Sequence, residues 1–283
     1  MKSFKETAMK IVFLVSACLS ILAVALICIF LLVNGLPAIK EIGVAEFLGG
    51  TVWKPMQNIF GIFPMIVGSI YVTAGAIIIG VPTGLLCAIF MARFCPAGLY
   101  RFIKPAVDLL AGIPSIVYGF FGLVLVVPVM QDICGVGKNI ITASIILGIM
   151  ILPTIISVSE ASIRAVPQSY YEGSLALGAT HERSVFAAVV PAAKSGITAG
   201  IILGVGRAIG EAMAVSMIAG NQPAMPKGLL SGVRTLTSNI VLEMGYAADL
   251  HREALIATAV VLFVFILIIN LSFSMIKKAG DRK

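Results

Sequence analysis

The chain has 283 residues, 59% of them hydrophobic and 12% charged, where a soluble domain carries about 25% charge. That balance excludes a soluble globular domain and leaves a polytopic membrane protein, because apolar runs fill the length and leave no room for a second, soluble unit. The net charge of +7 does not point to nucleic acid: the basic residues sit in short loops between apolar runs, without interleaved aromatic residues.

Residues 1–10 are polar, with Lys2, Lys5 and Lys10, and residues 11–33 form an apolar run without a charge. A secretory signal has an apolar core of only about 7–15 residues, so this run reads as a retained helix. Val15-Ser16-Ala17-Cys18 resembles a lipoprotein cleavage site only locally, since the run before the cysteine is too short and continues beyond it. Residues 34–65 read as a loop with Glu41 and Glu46. A second span covers about 66–92, interrupted by Gly75, Gly80, Pro82 and Gly84; Pro82 is tolerable in a membrane helix because neighbours satisfy the freed carbonyl. A basic loop (93–105) leads to a third span over about 106–130, with Asp108 as a helix-start acid at the interface. After a turn at 131–138 comes a fourth span, 139–159. The stretch 160–195 has mixed charge. A fifth span runs over 196–220, a polar loop over 221–253 and a sixth span over 254–276. His251 and Arg252 read as a solvated face of that loop.

The predicted fold class is therefore an all-α integral membrane protein with six transmembrane helices. Six spans place both termini on one side. That side carries 13 of the 20 Lys and Arg residues, in the N-terminus, 93–105, 160–195 and the tail. Six more lie on the other side and Arg207 lies within a span, so the richer face, with both termini, is expected to be cytoplasmic at the cell membrane.

The fifth span, GITAGIILGVGRAIGEAMAVSMIAG from Gly196 to Gly220, holds two charges at membrane depth, Arg207 and Glu211. Read as one helix at about 100° per residue, it places Gly196, Gly200, Gly204, Arg207 and Glu211 within roughly an 80° arc. Small residues on that face permit close approach of another helix, and intramembrane charges mark functional sites. Arg207 is 11 residues into this helix, roughly 16 Å deep at about 1.5 Å per residue. Two readings stand. One is a structural i,i+4 salt bridge; the other is a charge that handles a permeating anion. The order Arg-then-Glu is the less favourable one for helix stability, which favours the second.

Other chemistry is thinly supported. The cysteines, Cys18, Cys28, Cys87, Cys95 and Cys134, form no CxxC pair, and the two histidines fall in different loops. No disulfide framework, metal site or cofactor is expected. Gly204-Val205-Gly206 has one residue too many before Gly210 for a dinucleotide fingerprint, and no GxxxxGK[ST] occurs, so no nucleotide site is expected either.

In the 160–195 stretch, Glu172-Gly173-Ser174, then Gly178, then Pro191 stand in the register of E-A-A-x-x-x-G, nine residues, I-x-L-P. This resembles the EAA loop of ABC importer permeases. Gly173 and Ser174 replace the two alanines, Ala188 the isoleucine and Val190 the leucine. Such a stretch can form a short helix, a turn at Gly178 and a second short helix stopped by Pro191, suited to docking in a groove of another protein. Phe60 to Ser69 with Thr73, Ala111 to Gly119, and Gly204 to Val215 resemble the phosphate-specific permeases. Glu211 to Val215 with Gly220-Asn221 is closer to the PstC-type subunit than to its PstA-type partner. The resemblance covers about residues 55 to 275.

This resemblance implies a type I ABC importer permease core at 55–283, following an N-terminal helix and first extracytoplasmic loop at 1–54. It implies no catalysis by this chain, but alternating-access transport of phosphate driven by separate ATP-binding subunits. A second, PstA-like permease subunit and an extracytoplasmic phosphate-binding protein are the other implied partners, within membrane lipid and without nucleic acid. Glu172, Gly173, Ser174, Gly178 and Pro191 would couple to the ATPase, Gly196, Gly200 and Gly204 would pack the fifth helix, and Arg207 and Glu211 would line the pathway. Sulfate, molybdate or phosphonate remain alternative substrates. An ion-coupled secondary transporter would need relay charges on several helices, and an intramembrane hydrolase a Ser/His or paired-Asp site; neither pattern is present.

Overall fold

The structure is a computed structural model describing residues 2–280, with side chains for 6–272 and 275; Lys2, Lys5 and the basic tail beyond residue 276 lie outside the described side chains. Helix α1 (Lys2–Ile42) runs through Pro37 and beyond the expected end at residue 33. It continues because its last turns pack: a Cβ on Gly35 would lie 2.7 Å from Val260 of the last helix. The expected loop that follows is compact. It contains α2 (Val44–Gly49) and a hairpin of β1 (Trp53–Lys54) and β2 (Ile59–Phe60), with Trp53 opposite Phe60.

Helix α3 (Phe63–Ile89) ends in a wide turn to Phe94 and is followed by α4 (Ala97–Gly112). The third span differs from the expected 106–130. Pro114 lacks an N–H and forces Ile113 into extended backbone (ψ 126°), so α4 stops short and a fresh helix starts at Ser115. That helix comprises α5 (Ser115–Phe121), a wide turn and α6 (Val127–Cys134), together a 20-residue apolar segment, enough for roughly 30 Å. Helix α7 (Ile140–Arg164) starts where Asn139 Oδ1 accepts the Thr142 N–H at 2.9 Å and extends five residues past its expected end.

Next come α8 (Gln168–Ala176), α9 (His181–Ser184) and α10 (Val190–Ala192), the last two joined by a wide helical turn. Helix α11 (Lys194–Gly210) is bent 70° from the segment before it. The remaining helices are α12 (Met213–Ile218), α13 (Leu236–Glu243) and α14 (Asp249–Gly280). Among the described residues, five helices are long and apolar enough to cross a membrane, and six if the bent pair counts as one span. The protein is a mostly helical membrane protein, as its composition dictates.

Two packed regions position the site. Helices α3 and α7 lie against each other along a glycine stripe, Gly75 on Ser144, Gly80 on Ile151 and Gly84 on Ile155, and a core containing Ile146, Leu147, Met150 and Ile151 forms around them. At the hairpin end of the bundle a second cluster joins Trp53, Phe60, Ile62 and Met65 to Leu236, Ala254 and Leu255. Helix α1 packs on the bundle toward its C-terminal end, where Gly35 meets Val260 and Ala38 is buried, and most of its apolar body, from Met9 to Val33, is exposed.

Candidate functional site at the broken fifth span

Helix α11 lies on α7 through its glycines. Gly196 abuts Ser162, Gly200 abuts Val158 and Ser159, and a Cβ on Gly204 would lie 2.8 Å from Ile155. Contact this close leaves no space for a side chain on that face. One turn on, Arg207 reaches back to α7, where Nη1 is 3.4 Å from Thr154 Oγ1.

The sequence reading is corrected at the next turn. The fifth span is not one helix from Gly196 to Gly220. It ends at Gly210, Glu211 is extended (φ −74°, ψ 122°), and α12 begins at Met213. Glu211 therefore does not stand one helical turn above Arg207, and among the described residues no ion pair joins them. The Glu211 carboxylate turns instead to α12, where Oε1 accepts the Ala214 N–H at 3.0 Å.

Two causes of the break are visible. Gly206 and Gly210 lower the helical preference of the segment. The Glu211 carbonyl freed by the break also finds a partner on α13, where Thr237 Oγ1 donates to it at 2.9 Å; Ala212 O accepts the Ser216 N–H of α12 at 2.9 Å and, in addition, Ser238 Oγ at 3.4 Å. Hydroxyls that offer the backbone an alternative to the helical ladder favour such breaks. Sequence reasoning missed Thr154, Thr237 and Ser238, which lie 26 to 53 positions from their partners.

The break is also where distant segments converge. Helix α5 sits on α12 so closely that a Cβ on Gly119 would be 2.9 Å from Ala214 Cα. Ser69 Oγ of α3 accepts the Leu236 N–H at the start of α13, at 3.0 Å.

The 160–195 stretch forms the opposite end of the bundle. Gly178 adopts φ 82°, in the turn between α8 and α9 where the sequence places it. Glu172, Gly173, Gly178 and Pro191 are exposed and Ser174 half-buried. Leu177, beside the turn, is 91% exposed. The helix does not stop at Pro191 itself; it runs to Ala192, since proline removes a donor only from its own position. Tyr171 Oη lies 2.7 Å from His181 Nδ1, and the His181 ring meets Phe94 edge-on at 4.7 Å, so both arms of the turn are fastened to each other and to the end of α3.

The family described as "Binding-protein-dependent transport system inner membrane component" matches residues 80–282. The chain belongs to that family. It is an ABC importer permease. It is 38% identical over 91% of its length to the probable ABC transporter permease protein YqgH of Bacillus subtilis, covering 88% of that protein. It is 34% identical over 94% of its length to the phosphate transport system permease protein PstC of Haemophilus influenzae, covering 91% of that one. In fold it is similar to a chain of the MetNI methionine ABC transporter in an inward-facing conformation, with a TM-score of 0.62 at 20% identity, covering 81% of this chain and 99% of that one.

Among the described residues, two ionic networks, each around a buried glutamate, brace this permease. At the hairpin end, Glu243 accepts hydrogen bonds from Trp53 Nε1 (2.9 Å) and Arg234 Nη1, and lies 2.9 Å from His251 Nε2. His251 is thus not a solvated loop residue: its side chain is only 15% exposed, packed beside Trp53 and Phe60. Arg252 is exposed. A buried carboxylate without partners would cost several kcal/mol, which three partners offset.

At the α8–α10 end, Glu160, one residue past the expected end of the fourth span, is buried in α7. It meets Arg164 Nε at 2.6 Å, Tyr100 Oη at 2.7 Å and Lys104 Nζ at 3.2 Å. The hydrogen bond to Glu160, with burial, pushes the Tyr100 phenol above its ordinary range. Asp108 pairs with Lys104 at 3.3 Å and is half exposed, away from the break.

Proposed function

We propose that this chain is the PstC-type permease subunit of an ATP-driven phosphate importer, with residues 55–283 as its core. The observation that carries this reading is Arg207 at a break in an apolar span, with no acid partner among the described residues. Its guanidinium offers a planar fork of donors that fits phosphate oxygens. Such a cation inside a membrane is costly unless an anion visits it. The PstC name of relatives 30 to 35% identical over most of the chain points to the same substrate.

In this reading a PstA-like chain completes the pathway, ATP-binding subunits dock on the α8–α10 turn, and an extracytoplasmic binding protein delivers phosphate at the hairpin end. Transport proceeds by alternating access, and Glu172, Gly173, Ser174, Gly178 and Pro191 carry the coupling contact. The test is uptake of labelled phosphate in cells with and without the chain. Uptake that depends on the chain and resists excess sulfate, molybdate or phosphonate supports phosphate. Suppression by one of those anions reassigns the substrate to it.

The same reading places the α8–α10 turn and both termini in the cytoplasm, from the distribution of Lys and Arg. In a background free of the five native cysteines, Glu182→Cys is expected to react with an impermeant thiol reagent only from the cytoplasmic side. Leu229→Cys, at an exposed position in the 221–235 loop, is expected to react only from outside. Labelling of Leu229→Cys from the cytoplasmic side alone reverses the orientation.

A further inference from the structure

We infer that Thr237 is a positioning residue that holds the fifth span broken and thereby keeps Arg207 free for the anion. The inference rests on the proposed role of Arg207. Continued through residue 211, α11 would bring Glu211 one turn beyond Arg207, close enough for an ion pair. In a site of low dielectric that pair would occupy the guanidinium and neutralise it.

The broken form prevents this at three points. The Glu211 carbonyl, which a continuous helix would give to the N–H four residues on, accepts Thr237 Oγ1 at 2.9 Å. The Glu211 N–H donates to Ala208 O at 3.3 Å, closing the end of α11. The carboxylate is turned onto the Ala214 N–H. Of these three partners only Thr237 comes from outside the fifth span, so it is the one that can set the conformation from without.

Thr237 is itself held. Thr235, Thr237 and Ser238 form a buried hydroxyl cluster, with Thr235 Oγ1 3.0 Å from Thr237 Oγ1 and 2.9 Å from Ser238 Oγ. Helix α13 is anchored at its start by Ser69 and at its end by Glu243, bonded to Trp53, Arg234 and His251. The hairpin end of the bundle is therefore connected to the break through one short, fastened helix. A change that draws α13 away would release the Glu211 carbonyl, let the span straighten and return Glu211 to Arg207.

Thr237→Val tests this, because it replaces the hydroxyl by a methyl of similar size. If only a fraction of the complex has Arg207 free, the apparent affinity falls by that fraction. Loss of one hydrogen bond of ordinary strength is expected to raise the KM for phosphate roughly fivefold to tenfold, with the maximal rate per complex within about twofold of native. Thr237→Ala is expected to shift KM in the same direction, and Thr237→Ser to restore it. A native KM in Thr237→Val and Thr237→Ala, or a raised KM in Thr237→Ser, overturns the inference, and so does a loss of membrane abundance without a KM shift. Arg207→Gln in the same assay separates the two readings. Normal uptake by Arg207→Gln refutes the pathway role itself, whereas lost uptake with a native KM for Thr237→Val refutes only the positioning role.

Discussion

Gly178→Val is expected to leave the permease in the membrane at near-native abundance while abolishing productive coupling, so that phosphate uptake falls to background although ATP hydrolysis by the associated subunits persists. The reason is backbone geometry rather than crowding. Gly178 has φ 82°, and among the described residues no atom beyond its two chain neighbours lies within 4 Å of where its Cβ would be. A β-branched residue at positive φ carries strain of about 1–3 kcal/mol, which the turn relieves by changing shape. The affected surface is small and exposed: the Gly178 turn, Leu177 beside it, and Glu172 on α8. The arms remain fastened by Tyr171, His181 and Phe94, so the bundle behind them is untouched. Gly178→Asn is expected to retain much more uptake, because asparagine tolerates the left-handed region. The comparison is made by measuring uptake and ATPase activity on the same membranes. Native uptake by Gly178→Val would remove the turn from the coupling path.

The sequence made some of this legible and hid the rest for physical reasons. Long apolar runs announce membrane helices, and the register of Glu172, Gly178 and Pro191 announced a turn because glycine and proline act locally. Span boundaries were less visible. Pro114 breaks the third span inside a run that is apolar on both sides, and hydropathy alone does not register a missing N–H. The fifth span read as continuous because the carbonyl freed at its break is satisfied by a hydroxyl of α13, 26 residues away in sequence. Glu160 fell just outside the expected fourth span and His251 looked like a loop residue for the same reason. Each is buried by partners that only the fold supplies, Tyr100 and Lys104 for one, Trp53 and Glu243 for the other. Arg207 was legible as a charge at depth; its separation from Glu211 was not.

That separation sharpens the second large effect. Arg207→Gln is expected to lower phosphate uptake about 10- to 100-fold, the loss of one or more charge-assisted hydrogen bonds to the anion, while the complex assembles at native abundance. Assembly survives because Arg207 makes no ion pair among the described residues and its contact with Thr154 is a long 3.4 Å. Glutamine keeps a donor for that hydroxyl. A purely structural salt bridge would behave differently: Arg207→Gln would leave Glu211 unpaired and cost about 3–5 kcal/mol, and the complex would be lost. The double variant Arg207→Gln, Glu211→Gln would then restore both abundance and transport. The decisive measurement is phosphate uptake per unit of membrane-inserted complex for the double variant. We expect native abundance with uptake still down at least about tenfold; native uptake at native abundance would contradict the role of Arg207 in passing the anion.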